Sequence, residues 1–402
     1  MLTLPSIIRH ADDRKHLARV VNDFTTRARC FDYAFGPWLD APHAQHDVLF
    51  TGISEITIIQ RKSAIVKHLL NILFDQQLLS HAEARQAMLH IGVGEANPAE
   101  MAAFMAVYRM RPISVPELAG FREALLSLSR DPELGTHETV DIVGTGGDGK
   151  DTLNISTLAC FVVAGAGYKV TKHGNIGVSS VCGSSDVLAQ LGVDFAASND
   201  VLKRQLEHAN ICFLHAPSFH PAMRHAGPVR RELGVRTFFN ILGPLVNPAR
   251  PNYQVAGTFS LELLRLYHYL LQQTSTCYTV VHALDGYDEL SLTGSAKLAT
   301  ITGEQVVSAA DFGLAATTPT ELAGGRSAAE SAQLFLSVLE GHATRAQRDV
   351  VTANAALAIR CLEPEFGFAE ALAAAQESLD SGRACAALKN LLAATHNKAV
   401  AV

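Results

Sequence analysis

The stretch Asp141–Thr157, DIVGTGGDGKDTLNIST, decides how this chain is read. A short apolar run ends in glycines, and small polar residues then open a predicted helix. Three kinds of phosphate-binding loop fit it at first sight. Gly144-x-Gly146-x-x-Gly149 matches the dinucleotide-binding GxGxxG, and Gly144-x4-Gly149-Lys150 comes close to a P-loop. The third is a different anion-binding turn at a helix N-terminus.

The first option needs an acid about 20 residues on, to hold the ribose hydroxyls. No Asp or Glu lies between Asp151 and Asp186, and the next predicted strand ends in Lys172 and His173. The P-loop needs Ser or Thr after its Lys, to bind magnesium. Here Asp151 follows Lys150, and an acid there repels the phosphate. The third option uses more of the residues. Glycines let backbone amides approach a pyrophosphate, and Asn154, Ser156 and Thr157 sit where a helix N-terminus favours anions. KHGNIGVSSVCGSSD (172–186) then adds a Lys, another glycine turn and four serines. Two such loops at neighbouring strand ends make one cradle for a polyanion.

Outward from these loops, strand, glycine loop and helix alternate. Strands are predicted at 138–143, 168–172, 211–214, 253–258 and 278–283, and helices at 156–166, 185–191, 261–271 and across 328–361. This is the grammar of an α/β domain with a mostly parallel central sheet flanked by helices. Upstream, Ile65, Val66, Leu69, Leu70, Leu73 and Phe74 recur at helical spacing. Ser80-x-x-Glu83, Asn97-Pro98-x-Glu100 and Ser114-x-Pro116-Glu117 read as capping boxes. The expected division is an N-terminal extension of unassigned role (1–62), a small all-helical domain (63–134) and a larger α/β domain (135–402).

Bulk composition narrows the partners. A net charge of −6 over 402 residues leaves no basic footprint for nucleic acid. No apolar run approaches the length of a membrane span, so no membrane partner is expected. Seven cysteines with no CxxC pair fit a reducing, cytoplasmic setting.

GTGGDG, NIST and KHGN with its serines, in this order, resemble the anthranilate phosphoribosyltransferase family of tryptophan biosynthesis. FHPAMRHAGPVRRELGVRTFFNILGPLVNPA (219–249) is similar to that family's long signature, and HALDGYDELSLTG (282–294) to its metal-binding segment. The resemblance runs over roughly residues 65–395. It implies transfer of the phosphoribosyl group of phosphoribosyl pyrophosphate (PRPP) to anthranilate, releasing pyrophosphate. By similarity, PRPP falls to Gly144, Gly147, Asp148, Thr152, Asn154, Ile155, Ser156, Thr157, Lys172, His173, Gly174, Asn175, Ser179, Ser180 and Ser184. Anthranilate falls to Gly144, Asn175 and Arg230, with His173 and His220 along its path. Ser156, Asp288 and Glu289 are implied Mg²⁺ ligands, for two ions per subunit, and the helical domain is the implied homodimer contact. No general base is assigned, because an aniline nitrogen has little proton to lose before attack.

Plainer readings stand beside these. Asp148 suits a turn, Ser156 and Thr157 suit a helix cap, Arg231-Glu232 suits a surface pair, and His220 before Pro221 suits a structural loop. Ile176 stands where many relatives have Arg after KHGN, which is expected to weaken phosphate binding or shift its load to Lys172 and Lys150. Cys182 lacks a paired His in the sequence and reads as a small loop residue. A pyrimidine nucleoside phosphorylase shares the architecture without needing the Asp288-Glu289 pair. A non-catalytic nucleic-acid binder would be basic where this chain is acidic.

Overall fold

A computed structural model describes residues 65–177 and 181–395. The extension 1–62, with the role left open for it, lies outside them, as do Ser179 and Ser180. Four helices come first: α1 (65–74), α2 (His81–Gly92), α3 (Pro98–Met110) and α4 (Val115–Ser127). The last three begin at Ser80, Asn97 and Ser114, whose side chains accept from the amides of Glu83, Glu100 and Glu117. Each Glu returns the bond to the cap amide, so two orphan donors are satisfied at every start.

The chain then lays down β1 (Val140–Gly144), α5 (Ile155–Gly165), β2 (Val170–Gly174), α6 (Ser184–Gln190), α7 (Asn199–Ala209) and β3 (Ile211–His215). A helical turn (Ala216–Phe219) and α8 (Met223–Leu233) lead through two 3₁₀ turns to β4 (Tyr253–Gly257), α9 (Leu261–Leu271) and β5 (Cys277–Ala283). A hairpin, β6 (Ala296–Thr300) and β7 (Gly303–Val307), is followed by α10 (Ala328–Leu339), α11 (Arg345–Leu362), α12 (Phe368–Asp380) and α13 (Arg383–Thr395).

The seven strands form one sheet in the order β3-β2-β1-β4-β5-β6-β7. The first five are mutually parallel, and β6 and β7 run antiparallel at one edge. The sequence missed the hairpin, because β7 is exposed along most of its length and carries no inward apolar alternation. The helices after residue 362 were also not foreseen. From β1 the chain builds outward to β2 and β3, then returns to place β4 on the other side of β1. The β1–β4 junction is therefore the switch point of the sheet, and ligands of open α/β sheets lie in the crevice beyond it.

One core packs α5 and α10 to α13 against the sheet, with Val140, Phe161, Val281, Phe335 and Leu357 all buried. A second unites the four N-terminal helices with α9 and the 238–246 turns. At its centre Phe104, Tyr108, Phe121 and Phe238 meet largely edge to face, at centroid distances of 5.0–5.8 Å. Phe238 comes from the long signature, so that segment ties the helical part to the sheet. No described helix is long and apolar enough to cross a membrane.

Candidate active site

A cavity of about 490 Å³ opens over the carboxyl ends of β1, β2 and β4. Gly144 ends β1 and pairs in register with Gly257, which ends β4. A Cβ on Gly144 would collide with Asp288 Oδ2, and one on Gly257 with the Asp288 carbonyl. Two glycines at the switch point thus let the segment after β5 fold down across it. Beyond Gly144 the chain turns through Gly146 (φ 65°) and Gly147 (φ 79°), left-handed conformations that favour glycine.

The turn aims its amides inward. Gly146 N donates to Asp288 Oδ2 (2.6 Å), and Lys150 N donates to Asp148 Oδ1 (3.1 Å). Asp148 is therefore a turn residue and also a neighbour of Asp288. Asp151 Oδ1 accepts from Val181 N (3.1 Å), and Asn154 Nδ2 donates to Cys182 O (3.2 Å), so the two glycine loops are bonded to each other. Asn154 caps α5 without a side-chain hydrogen bond. Instead Ser156 N, in the first turn, donates to Glu289 Oε1 (2.9 Å).

Asp288 and Glu289 are the unusual acids of the site. Each takes a backbone amide, yet no ion pair among the described residues involves either of them or Asp148. Burial raises the pKa of both, and neighbouring negative charge raises it further, from Asp148 on Asp288 and from Asp288 on Glu289. The described residues hold no group of three or more His, Cys, Asp or Glu set to bind a metal. Two hard carboxylates whose repulsion is only partly offset, by Lys172 and two amides, still suit Mg²⁺, which takes one or two carboxylates and completes its shell with water and substrate phosphate.

Behind the loops lies a buried network. Asp141 accepts from His173 N (3.3 Å) and Asn247 Nδ2 (2.9 Å), and Asn247 Nδ2 also donates to Thr171 O (2.7 Å). Burial raises the Asp141 pKa to about 6, against the pull of Lys172. Lys172 is itself buried, with Nζ donating to Ile142 O (2.7 Å). It is thus an interior residue of β2 that also lines the cavity, not a solvated charge at a strand end.

His173 and His220 face each other with ring centroids 5.2 Å apart. Among the described residues, His173 Nε2 and both ring nitrogens of His220 are buried and make no hydrogen bond of good geometry, the backbones of Gly243 and Val246 being their polar neighbours. Burial pulls the His173 pKa well below its usual value and that of His220 down to about 4, so both rings are neutral at pH 7. His220 is therefore more than a loop histidine, since it lines the cavity. Nearby, Arg230 lies 5.2 Å from the Phe239 ring, partly desolvated and without an acidic partner among the described residues. Arg231 is exposed and stays outside.

Most predicted residues converge here: Gly144, Gly147, Asp148, Thr152, Asn154, Ser156, Thr157, Lys172, His173, Gly174, Asn175, Ser184, Arg230, Asp288 and Glu289 all line the cavity. Ile155 does not. Its side chain is wholly buried in the sheet–helix core, because α5 starts there and turns that position inward. Ile176 lines the mouth and is 55% exposed. The cations beside it are more numerous than Lys172 and Lys150, since Arg224 and Arg236 also line the cavity. Arg236 faces the first loop so closely that a Cβ on Gly147 would lie 3.3 Å from its Cζ. Its signal was its place two residues after Gly234, the left-handed cap that ends α8. Lys150 Nζ sits 4.6 Å over the Tyr287 ring.

Two family models match the chain in order. Residues 67–129 match the helical bundle domain of the glycosyl transferase family, and residues 136–385 its a/b domain. That sets the class: a helical bundle joined to an α/β domain with a site at the sheet's switch point. Within the class, the anthranilate phosphoribosyltransferase of Cytophaga hutchinsonii is 54% identical over 319 residues, 79% of this chain and 97% of that one. That of Christiangramia forsetii is 50% identical over 335 residues, covering 83% and 100%. Among solved structures, the enzyme of Thermus thermophilus superposes with a TM-score of 0.78 at 35% identity, covering 82% of this chain and 99% of that one. A Saccharomyces cerevisiae enzyme in complex with PRPP and Mg has a TM-score of 0.76 at 26% identity, covering 83% and 98%. The chain belongs to the anthranilate phosphoribosyltransferase family.

Proposed function

We propose that the chain transfers the phosphoribosyl group of PRPP to the amine of anthranilate, giving N-(5-phosphoribosyl)anthranilate and pyrophosphate for tryptophan synthesis. The observation that carries this is the convergence of two glycine loops and the Asp288-Glu289 carboxylate pair on one cavity at the sheet's switch point. The amide-lined turn at Gly144–Asp148, the start of α5 and the Lys172–Asn175 and Ser184 groups hold the PRPP phosphates. Arg230 takes the anthranilate carboxylate in a bidentate pair. Gly144 and Asn175 border the amine, and the neutral His173 and His220 flank its path.

Asp288 and Glu289, with the Ser156 hydroxyl, are the ligands for Mg²⁺, two ions per subunit. Bound there, Mg²⁺ supplies charge neutralisation at the departing pyrophosphate. The chain's own residues position the amine against C1 of the ribose and exclude water around it. Desolvation makes His173 and His220 weak bases, which suits an amine that needs little deprotonation before attack. The helical part forms the homodimer contact, a reading supported by Phe74 at the end of α1 and Leu78 in the connection to α2, both 58% exposed. The setting is cytoplasmic, in keeping with the free state of all six cysteines among the described residues.

The test is the loss of anthranilate fluorescence on adding the full chain with PRPP and Mg²⁺. Turnover that needs all three components is expected. Failure to consume anthranilate, together with phosphorolysis of thymidine, would replace this reading with a nucleoside phosphorylase.

A further inference from the structure

A second cavity, of about 500 Å³, lies where the helical part meets the opposite end of the sheet. Asn252 and Thr276, which stand just before β4 and β5, line it, so it opens at the amino ends of strands whose carboxyl ends face the first cavity. Two arginines converge in it from different parts of the chain. Arg122, on α4, donates through Nε to Leu245 O (3.0 Å). Arg250, from the turn before β4, donates through Nη2 to Leu126 O (3.4 Å). Among the described residues one N–H of each guanidinium is used, and the rest of each planar fork is unspent.

Neither arginine has an acid opposite it among the described residues. Glu123 borders the cavity, but its carboxylate is engaged by Arg85 (2.7 Å) and His81 (3.0 Å). Burial and the charge of Arg250 both work against the protonated form of Arg122. Arg250 is also held at φ 49°, a conformation unfavourable for any residue with a Cβ. Two like charges brought together in this way need a reason. Capping the last turn of α4 is part of it, but that takes one N–H of Arg250 and none of Arg122. Ser275 and Thr276 add hydroxyls whose donors make no bond among the described residues, and the Asn252 side-chain N–H₂ is likewise unengaged among them.

From this we infer that the Arg122–Arg250 cavity is a second anion site, one that takes a small phosphate-bearing molecule. Guanidinium forks match phosphate oxygens bidentately, and the volume leaves room for an organic body beyond one phosphate. The site spans the join between α4 and the α/β part, so its ligand fastens the two together. It also shares a wall with the first cavity. Pro244 lines both, its carbonyl accepts from Gln254 Nε2, and Asn247 at the second cavity holds Asp141 beneath His173.

The test is calorimetric titration of the full chain with inorganic phosphate. The wild type should show a saturable component that persists in Lys150→Gln, a change in the first cavity. In Arg122→Gln/Arg250→Gln the component should weaken by about tenfold or more, the loss expected for charge-assisted bonds. Ser275→Glu lies on an exposed loop and puts an anion into the cavity without touching the core, so it should weaken binding even where the arginine variant folds poorly. Unchanged isotherms in Ser275→Glu and the arginine variant overturn the proposal. So does loss of the component in Lys150→Gln, which would place all the phosphate in the first cavity.

Discussion

Two sets of acids in this chain have opposite surroundings. Glu117, fully buried at the start of α4, accepts from Arg111, Tyr108 Oη (2.9 Å), Ser114 N (2.9 Å) and Leu79 N (3.1 Å). Burial alone would raise its pKa, but Arg111 and these donors outweigh it and the net shift is downward. Asp288 is buried and Glu289 half-buried, yet each receives a single amide from the loops and no ion-pair partner among the described residues, and both are shifted upward, Glu289 against the pull of Lys172. Desolvation acts on both sets, and the partners differ. A fully satisfied acid belongs to the architecture, whereas acids left facing one another in a cavity belong to a site that completes itself with a ligand.

The contrast can be broken by removing charge from each set. Asp288→Asn with Glu289→Gln should cut kcat/KM by about a thousandfold, given what charge stabilisation contributes at such sites. The same change relieves repulsion, so the apparent Tm should hold or rise by about 2–4 °C. Normal turnover in that double variant would remove the metal role from both residues. Glu117→Gln should do the reverse. It leaves Arg111 without its acid and costs about 3 kcal/mol in denaturant unfolding, while activity per folded molecule stays unchanged.

Arg230→Ala sharpens the comparison from the substrate side, raising KM for anthranilate by about tenfold with KM for PRPP nearly unmoved. Equal effects on both substrates would count against its carboxylate role.

The smallest expected effects come with pH, and the two sets have opposite signs. Glu117 has a folded pKa below its unfolded value of about 4.3. Its stabilisation is complete above that pH and fades as pH falls through the folded value. The stability gap between wild type and Glu117→Gln should therefore narrow on acidification. Asp288 and Glu289 have folded values above their unfolded ones, so their contribution is lost as pH rises through the folded values. Mg²⁺, which competes with those protons, should raise Tm more at pH 8 than at pH 5. An equal shift at both would mean that the ion binds elsewhere.

Local features of this fold were legible. The three capping boxes announced α2 to α4, because both halves of each lie within four residues. The glycine loops and short apolar runs gave the parallel strands. What escaped was decided by distant partners or by position at an edge. Nothing near Ser156 tells that Glu289, 133 residues away, takes its amide. Ile155 sits in a run of site residues, and only the start of α5 sends it into the core. Arg236 was passed over because its neighbour across the cavity is Gly147, far upstream. The β6–β7 hairpin lacks an alternating pattern because β6 is covered along most of its length and β7, at the sheet edge, is exposed at four of its five residues.

The Ser156–Glu289 bond also affects how ligand affinity should be understood. The first turn of α5 already has an acceptor supplied from within the chain. Under the proposed function, a phosphate arriving at the start of α5 does not meet Ser156 N as a free donor. It competes with a resident carboxylate, so its net gain is the difference between two acceptors, and releasing Glu289 is part of the same equilibrium. Anything that draws Glu289 away from the helix makes the exchange easier, and by linkage the exchange makes that withdrawal easier in turn.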